Sequence, residues 1–395
     1  MAVAENAPLH GFTVLEVGVF MAAPFATMQL ADLGARVIKV ENPDGPDPTR
    51  ASGPMLDGAD GERHSSPFAR LNRNKESVAL DLKTDAGRAV FLSLVERADA
   101  LVENLRPGAM RRLALGPDEL AAVNPALVYA SASGFGQDGP LASLPGLDIM
   151  AQARSGLMSI TGTADGDPVK VGVPLCDLVA GLYTALAVTA ALHSDGEDPA
   201  HPRGQHVDVS LLEAGTSLAV WEAGAYFATG AVGRPLGTAH QTQAPYQAVR
   251  CSDGSVTLGA ITPKTWLGLC AALELPALAE DPRYADSAAR HAARVELIAT
   301  IEEVTTRCRA ADVVAACEAH GVPCAPINDF GSVFTDEHLT GRGFFWDAPH
   351  PQLGAVRQLG SPMRLSRTPV RRDNAGPALG ADTAAILAEL GLADE

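Results

Sequence analysis

The sequence predicts an α/β fold with a mainly parallel sheet, joined to a smaller α+β unit. Three observations carry this. Short β-branched or apolar runs alternate with helical runs from residue 12 to about 226, which is the pattern of strand–helix–strand layers. One helix-length segment separates the first two strand runs, so they form a parallel pair with a right-handed crossover. From Tyr246 the texture changes to a hairpin followed by helices.

Taken in order, the elements follow from local chemistry. Residues 1–9 are expected to be a loose arm. Residues 12–17 are a strand by β-branched content and length. Pro24 suits the first turn of a helix that stops at Gly34, and 35–40 is the next strand. Residues 42–67 are a long loop rich in Pro, Gly and Asp, a length associated with function or mobility. Strands are expected at 77–82, 100–102 and 127–131, with helices at 85–98 and from 117 to 123. A turn-dense loop at 134–140 precedes a helix over 147–157. A strand at 205–210 leads into a single helix over 211–226, and 230–245 reads as a linker. The hairpin pairs 246–251 with 256–258. Helices follow at 292–307 and 310–320, then extended chain at 321–328 and 344–359, and a last helix at 382–390.

The chemistry is expected at residues 171–181. Pro174 breaks regular structure, Asp177 follows, and 178–192 is almost wholly apolar. That run is too short and interrupted for a membrane span, which needs about 20 apolar residues. It reads as a buried helix with Asp177 capping its N-terminal edge, where backbone N–H groups and the helix dipole favour an ionised carboxylate. Cys176 reads as a small buried residue rather than a nucleophile.

Composition narrows the function. At 395 residues the chain has room for two domains; 47% hydrophobic and 19% charged content is that of an ordinary globular protein. A net charge of −17 argues against nonspecific binding to nucleic acid or an anionic membrane. Six scattered cysteines form no Cys-x-x-Cys and no zinc spacing, and no signal peptide is recognisable, which points to the cytoplasm. His-x-Glu and His-Glu-x-x-His metal patterns are absent, as is a Walker A sequence. Residues 18–23 do not match the dinucleotide fingerprint. In an open α/β sheet a ligand sits beyond the carboxyl ends of the strands. Arg73, Lys75, Arg106, Arg111 and Arg112 place positive charge near those ends, as a phosphate-bearing ligand would require.

Several segments in combination resemble the class III CoA-transferase family, which also contains formyl-CoA and carnitine CoA-transferases and α-methylacyl-CoA racemases. They are LEVG at 15–18 with Ala23 and Pro24, LADLGARVIKVE at 30–41, NRNK at 72–75 with LDL at 80–82, VENLRPG at 102–108, SGFGQDGP at 133–140 and GVPCAPIN at 321–328. They span almost the whole chain. The resemblance implies a Rossmann-like large domain at 1–227 plus 331–395, a small α+β domain at 228–330, and an interlocked homodimer. It implies Asp177 as the nucleophile. It carries coenzyme A contacts over to Phe20, Met21, Asn42, Asn72, Arg73, Asn74, Lys75, Asn104, Leu105 and Arg112, and places Gly146, Leu147 and Asp148 near the thioester. Asn42 stands where many members carry Arg. Leu147 stands where racemases carry a His base, which argues against the alternative of racemisation by α-proton abstraction.

The implied activity moves CoA from an acyl-CoA to a free carboxylic acid, with small dicarboxylates as the expected acids, through an aspartyl-CoA thioester. It requires no metal and no permanently bound cofactor. Backbone amides at 134–136 are candidate oxyanion donors.

Overall fold

The computed structural model describes residues 6–194 and 203–392. Two compact units emerge. The larger comprises Met1–Met158, Lys170–Ala231 and Thr340–Glu395; the smaller comprises Ser159–Val169 and Val232–Leu339.

The larger unit is a mixed α/β structure around a parallel sheet. Its strands are β1 (Thr13–Val17), β2 (Arg36–Glu41), β3 (Lys75–Ala79), β4 (Ala100–Glu103), β5 (Val128–Ser133) and β6 (Gln205–Ser210). They lie in the order β3-β2-β1-β4-β5-β6, every neighbouring pair parallel. Chain direction across the sheet therefore reverses between β1 and β4, the crevice where open α/β sheets take ligands. The strands are apolar because both faces are covered. Leu15, Ile38 and Leu101 pack with Phe91 on one side, while Val14, Val37 and Val102 pack with Leu30 and Val188 on the other.

On that second side run α1 (Ala22–Asp32) and, after the short α2 (Asp148–Arg154), the long α3 (Leu175–Leu192). By composition α3 could match a membrane span, yet Ala180, Thr184, Val188 and Leu192 are buried in the larger unit. Gly181 permits its close approach to α1, since a Cβ there would stand 2.9 Å from the Ala22 carbonyl oxygen. Next come α4 (Leu211–Ser217) and α5 (Val220–Thr229). A single helix over 211–226 is thus corrected to two, broken at Leu218 and Ala219.

In the smaller unit β7 (Tyr246–Cys251), β8 (Gly254–Gly259) and β9 (Cys324–Pro326) form an antiparallel sheet in the order β9-β8-β7. Val249, Val256, Leu258, Trp266, Leu269, Leu297 and Ile301 fill its core. Residues 159–169 join this unit, and the Gly237 N–H bonds the Gly162 carbonyl at 2.8 Å.

The tail contributes the hairpin β10 (Phe345–His350) and β11 (Gly354–Leu359), then lies along β3. There the Ser77 N–H donates to Asp382 and the Ala79 N–H to Thr383, so side chains close the sheet edge. Residues 1–5 of the expected arm lie outside the described residues. The following piece is packed, with Leu9 fully buried and its N–H donating to the Leu33 carbonyl. The long loop at 42–67 contains a short hairpin, Met55–Asp57 with Arg63–Ser65. A helix at Pro263–Ala272 lay unrecognised, although Thr262 before Pro263 is a start signal and forms a capping box with Thr265.

Candidate active site

A cavity of about 410 Å³ opens in the larger unit at the point where the strand order reverses. The segment after β1 supplies Phe20 and Met21, the segment after β4 supplies Asn104, Leu105 and Arg106, and the end of β5 supplies Ser133 and Gly134. Gly146, Leu147, Asp148, Lys170 and Asp177 complete the wall. The expected residues Phe20, Met21, Asn104, Leu105, Gly146, Leu147, Asp148 and Asp177 are therefore brought together.

Asp177 is not the helix cap. It is the third residue inside α3, whose N-cap is Pro174. The capping carboxylate comes from Asp148: its Oδ1 accepts the Cys176 N–H at 2.8 Å and the Asp177 N–H at 3.3 Å. The expectation that helix N–H groups and the dipole favour an ionised Asp177 is reversed. Burial first, and the neighbouring Asp148 charge second, push its carboxyl up to about 7. No hydrogen bond reaches its carboxylate oxygens among the described residues.

Asn72, Arg73, Asn74 and Lys75 are buried and already engaged, which corrects their reading as ligand-facing groups. Arg73 forms two hydrogen bonds to Asp32, at 3.0 and 2.6 Å, and the Asn74 amide joins the same carboxylate at 2.9 Å. Lys75 Nζ lies 2.7 Å from Glu16 Oε2 and donates to the Pro24 carbonyl and the Asn72 side chain, each at 2.8 Å. Glu16 also pairs with Lys39 at 2.6 Å. Burial alone would raise the Glu16 carboxyl, but the two ammonium groups outweigh it and hold it at about 2.

Asn42 lines a second cleft of about 170 Å³, which shares Val19 and Leu105 with the first and includes the exposed Lys83. Arg112 is exposed and outside both walls. Arg111 is exposed too, 3.6 Å from Asp118. Sequence reasoning did not single out the cleft-lining Lys83 or Lys170. Their scarcity was a usable signal, since the chain has only five lysines.

The wall geometry is tightly set. Asn104 clamps the loop after β1 through both atoms of its amide, to the Val19 N–H at 2.9 Å and the Val19 carbonyl at 2.8 Å. Phe20 takes a left-handed backbone, φ 59°, with its N–H donating to Asp47 at 3.2 Å and the residue 54% exposed. Gly134 and Gly146 touch face to face: a Cβ on either would stand 2.6 Å from the other's Cα. The Gly136 N–H donates to Ser133 Oγ at 3.1 Å, so it is not a free oxyanion donor. No histidine lines the cavity among the described residues. His240 stacks on Tyr246 within the smaller unit, ring centroids 4.9 Å apart.

A partly buried, unbonded carboxylate in a cavity whose wall also carries exposed cations can act as a nucleophile towards an acyl group whose carrier is anionic. Comparison with known proteins agrees. The model of CoA-transferase family III matches residues 9–383. The succinate–glutarate CoA-transferase of Agrobacterium fabrum is 38% identical over 388 residues, covering 97% of this chain and 96% of that protein. The human succinyl-CoA:glutarate CoA-transferase is 34% identical, covering 97% of this chain and 86% of that one. A crystal structure of a CAIB/BAIF family protein from Brucella suis superposes with a TM-score of 0.88 at 37% identity, covering 98% of this chain and all of that one. The chain belongs to CoA-transferase family III and is a CoA-transferase.

Proposed function

We propose that the enzyme moves CoA between small dicarboxylic acids, with Asp177 as the covalent nucleophile. The observation that carries this is the Asp177 carboxylate, open to the cavity and unbonded, with burial and the Asp148 charge raising its pKa to about 7. A basic oxygen of this kind attacks better than one satisfied by helix N–H groups.

The steps balance as follows. An Asp177 oxygen attacks the thioester carbonyl and expels the CoA thiolate, leaving a mixed anhydride. The thiolate attacks the Asp177 carbonyl and releases the donor acid as carboxylate, leaving an aspartyl-CoA thioester. The acceptor carboxylate attacks that carbonyl and expels the thiolate again. The thiolate then attacks the acceptor's carbonyl, and Asp177 leaves as carboxylate. Dicarboxylate substrates rest on the names of the relatives; Arg106 and Lys170 in the wall give a second carboxylate a counter-charge.

The CoA moiety is assigned to Phe20, Met21, Leu105, Gly146 and Leu147, with Asn104 holding the loop and the Asn42 cleft continuing the path. Asn72, Arg73, Asn74 and Lys75 act as scaffold beneath it, and Arg112 meets the ligand only beyond the cavity. The working assembly is an interlocked homodimer of Rossmann-like subunits in the cytoplasm. None of the residues of α5 is buried, Trp221 and Phe227 are exposed, and Leu182 and Leu186 project from α3. A second copy is the partner that such faces fit. All six cysteines are free thiols, in keeping with a reducing compartment.

The test incubates the enzyme with succinyl-CoA and maps its peptides by mass spectrometry. A CoA adduct on the Asp177 peptide is expected, and Asp177→Ala should lower turnover by roughly 10⁴-fold. Near-normal turnover by that variant would end the reading. Light scattering tests the assembly, where a monomer at working concentration would refute it.

A further inference from the structure

We propose that Asp148, oriented by Gln152, is a positioning residue that leaves the Asp177 carboxylate unbonded and correctly aimed by taking the helix N-terminal N–H groups that would otherwise bond it. The inference deepens the proposed function and rests on Asp177 as nucleophile.

The backbone accounting at the start of α3 is complete. The Leu175 N–H donates to the Val173 carbonyl at 2.8 Å, and the Leu178 N–H to the Pro174 carbonyl at 3.0 Å. The two between them, from Cys176 and Asp177, go to Asp148 Oδ1. Pro174 has no side-chain acceptor, so without Asp148 these two donors would seek another anion. The nearest along the chain is the carboxylate of Asp177 itself.

Asp148 is held in turn. Its Oδ2 accepts from Gln152 Nε2 at 2.7 Å. Gln152 is fully buried; its Oε1 accepts the Val171 N–H at 2.9 Å, and its amide also reaches the Val173 carbonyl at 3.3 Å. Two side chains of α2 thus tie down residues 171–177 and fix where Asp177 begins its attack.

The charged and titratable groups around Asp177 are few. Asp148 faces it from α2, Cys176 precedes it, and Lys170 and Arg106 stand elsewhere in the cavity wall. Lys170 Nζ donates to the Val171 carbonyl at 3.2 Å. Besides burial, Asp148 is the group that shifts the Asp177 carboxyl, and it does so upward. Asp148 thus acts twice: it takes the donors that would quiet the nucleophile, and it sets a like charge beside it.

The experiment compares kcat and KM across pH for Asp148→Asn, Asp148→Ala, Gln152→Met and Asp177→Ala. Asparagine keeps an oxygen for the Cys176 and Asp177 N–H groups and removes the charge. It should move the acidic limb of the profile to lower pH by on the order of 1 unit. It should also lower the plateau kcat while leaving KM for the acyl-CoA within about twofold. Gln152→Met removes the donor to Asp148 at similar volume and should lower kcat, again with KM little changed. This variant serves if Asp148→Ala does not fold. An Asp148→Asn enzyme with the wild-type limb and kcat overturns the inference, as does Gln152→Met with wild-type kcat. In both cases an inactive Asp177→Ala enzyme leaves the nucleophile reading standing. An active Asp177→Ala enzyme removes both.

Discussion

Replacing Asp177 with Asn should stabilise the ligand-free enzyme while abolishing its activity. The Asp177 carboxyl moves from an ordinary 3.8 to about 7 in the folded protein. About 3 units at ~1.4 kcal/mol each set a ceiling of about 4 kcal/mol for the cost of carrying the ionised group. The side chain is partly open to solvent, which halves the figure to about 2 kcal/mol. The folded-state value lies above the unfolded one. The native state therefore binds more protons than the unfolded state between roughly pH 4 and 7. The group's favourable contribution is complete below that window and is lost as pH rises through it. Asn imitates the protonated acid and escapes the loss. Urea unfolding followed by circular dichroism should show Asp177→Asn more stable by about 2 kcal/mol at pH 8, narrowing to roughly a third of that at pH 5. A variant no more stable than wild type at pH 8, or a gap independent of pH, would refute the claim that Asp177 is held in an unfavourable site.

The same titration should govern turnover: kcat/KM for the acyl-CoA should rise with pH through a midpoint near 7, read from initial rates between pH 5.5 and 9 taken as roughly the range where a carboxylate nucleophile can be followed. Glu16→Gln should leave Lys39 and Lys75 buried without their shared counter-ion, costing about 3 kcal/mol or more in urea unfolding. Gly134→Ala would drive its Cβ to 2.6 Å from the Gly146 Cα. Backbone must shift to relieve that contact, so a stability loss of about 1–3 kcal/mol should accompany a raised KM for acyl-CoA in steady-state assays.

What could be read from the sequence was mostly what depends on neighbours along the chain. The strand Gln205–Ser210 is visible in its own alternation, and the crossover after β1 in Pro24 and Gly34. Asp177 is visible as a lone carboxylate before an apolar run. Its electrostatic setting is not, because the group that controls it lies 29 residues away on another helix. The cations at Arg73 and Lys75 were legible as charges but not as buried ones, since Asp32 and Glu16 precede them by 41 and 59 residues. The break at Leu218 and Ala219 has no Gly or Pro to announce it. The motif at 72–75 drew attention for a sound reason, since charge near strand ends can bind phosphate. Burial decided against that use: Arg73 and Lys75 are paired with buried carboxylates and line neither cleft.

The scaffold residues explain how the cavity wall is held without help from a ligand. Lys39 Nζ donates to the Gly18 carbonyl at 2.7 Å, Asn104 takes both polar atoms of Val19, Asp47 accepts the Phe20 N–H, and Lys75 holds the Pro24 carbonyl. A left-handed backbone at a phenylalanine costs roughly 1–3 kcal/mol and persists only where surroundings over-determine it. Those four contacts supply that over-determination. Because Lys39 and Lys75 share Glu16, the loop after β1 is anchored to the sheet and to the Asn72 segment through one carboxylate. On the proposed binding mode the cations serve the substrate by fixing the surface it meets, and a change at Glu16 should therefore raise the KM for acyl-CoA in steady-state assays before it disturbs the reactivity of Asp177.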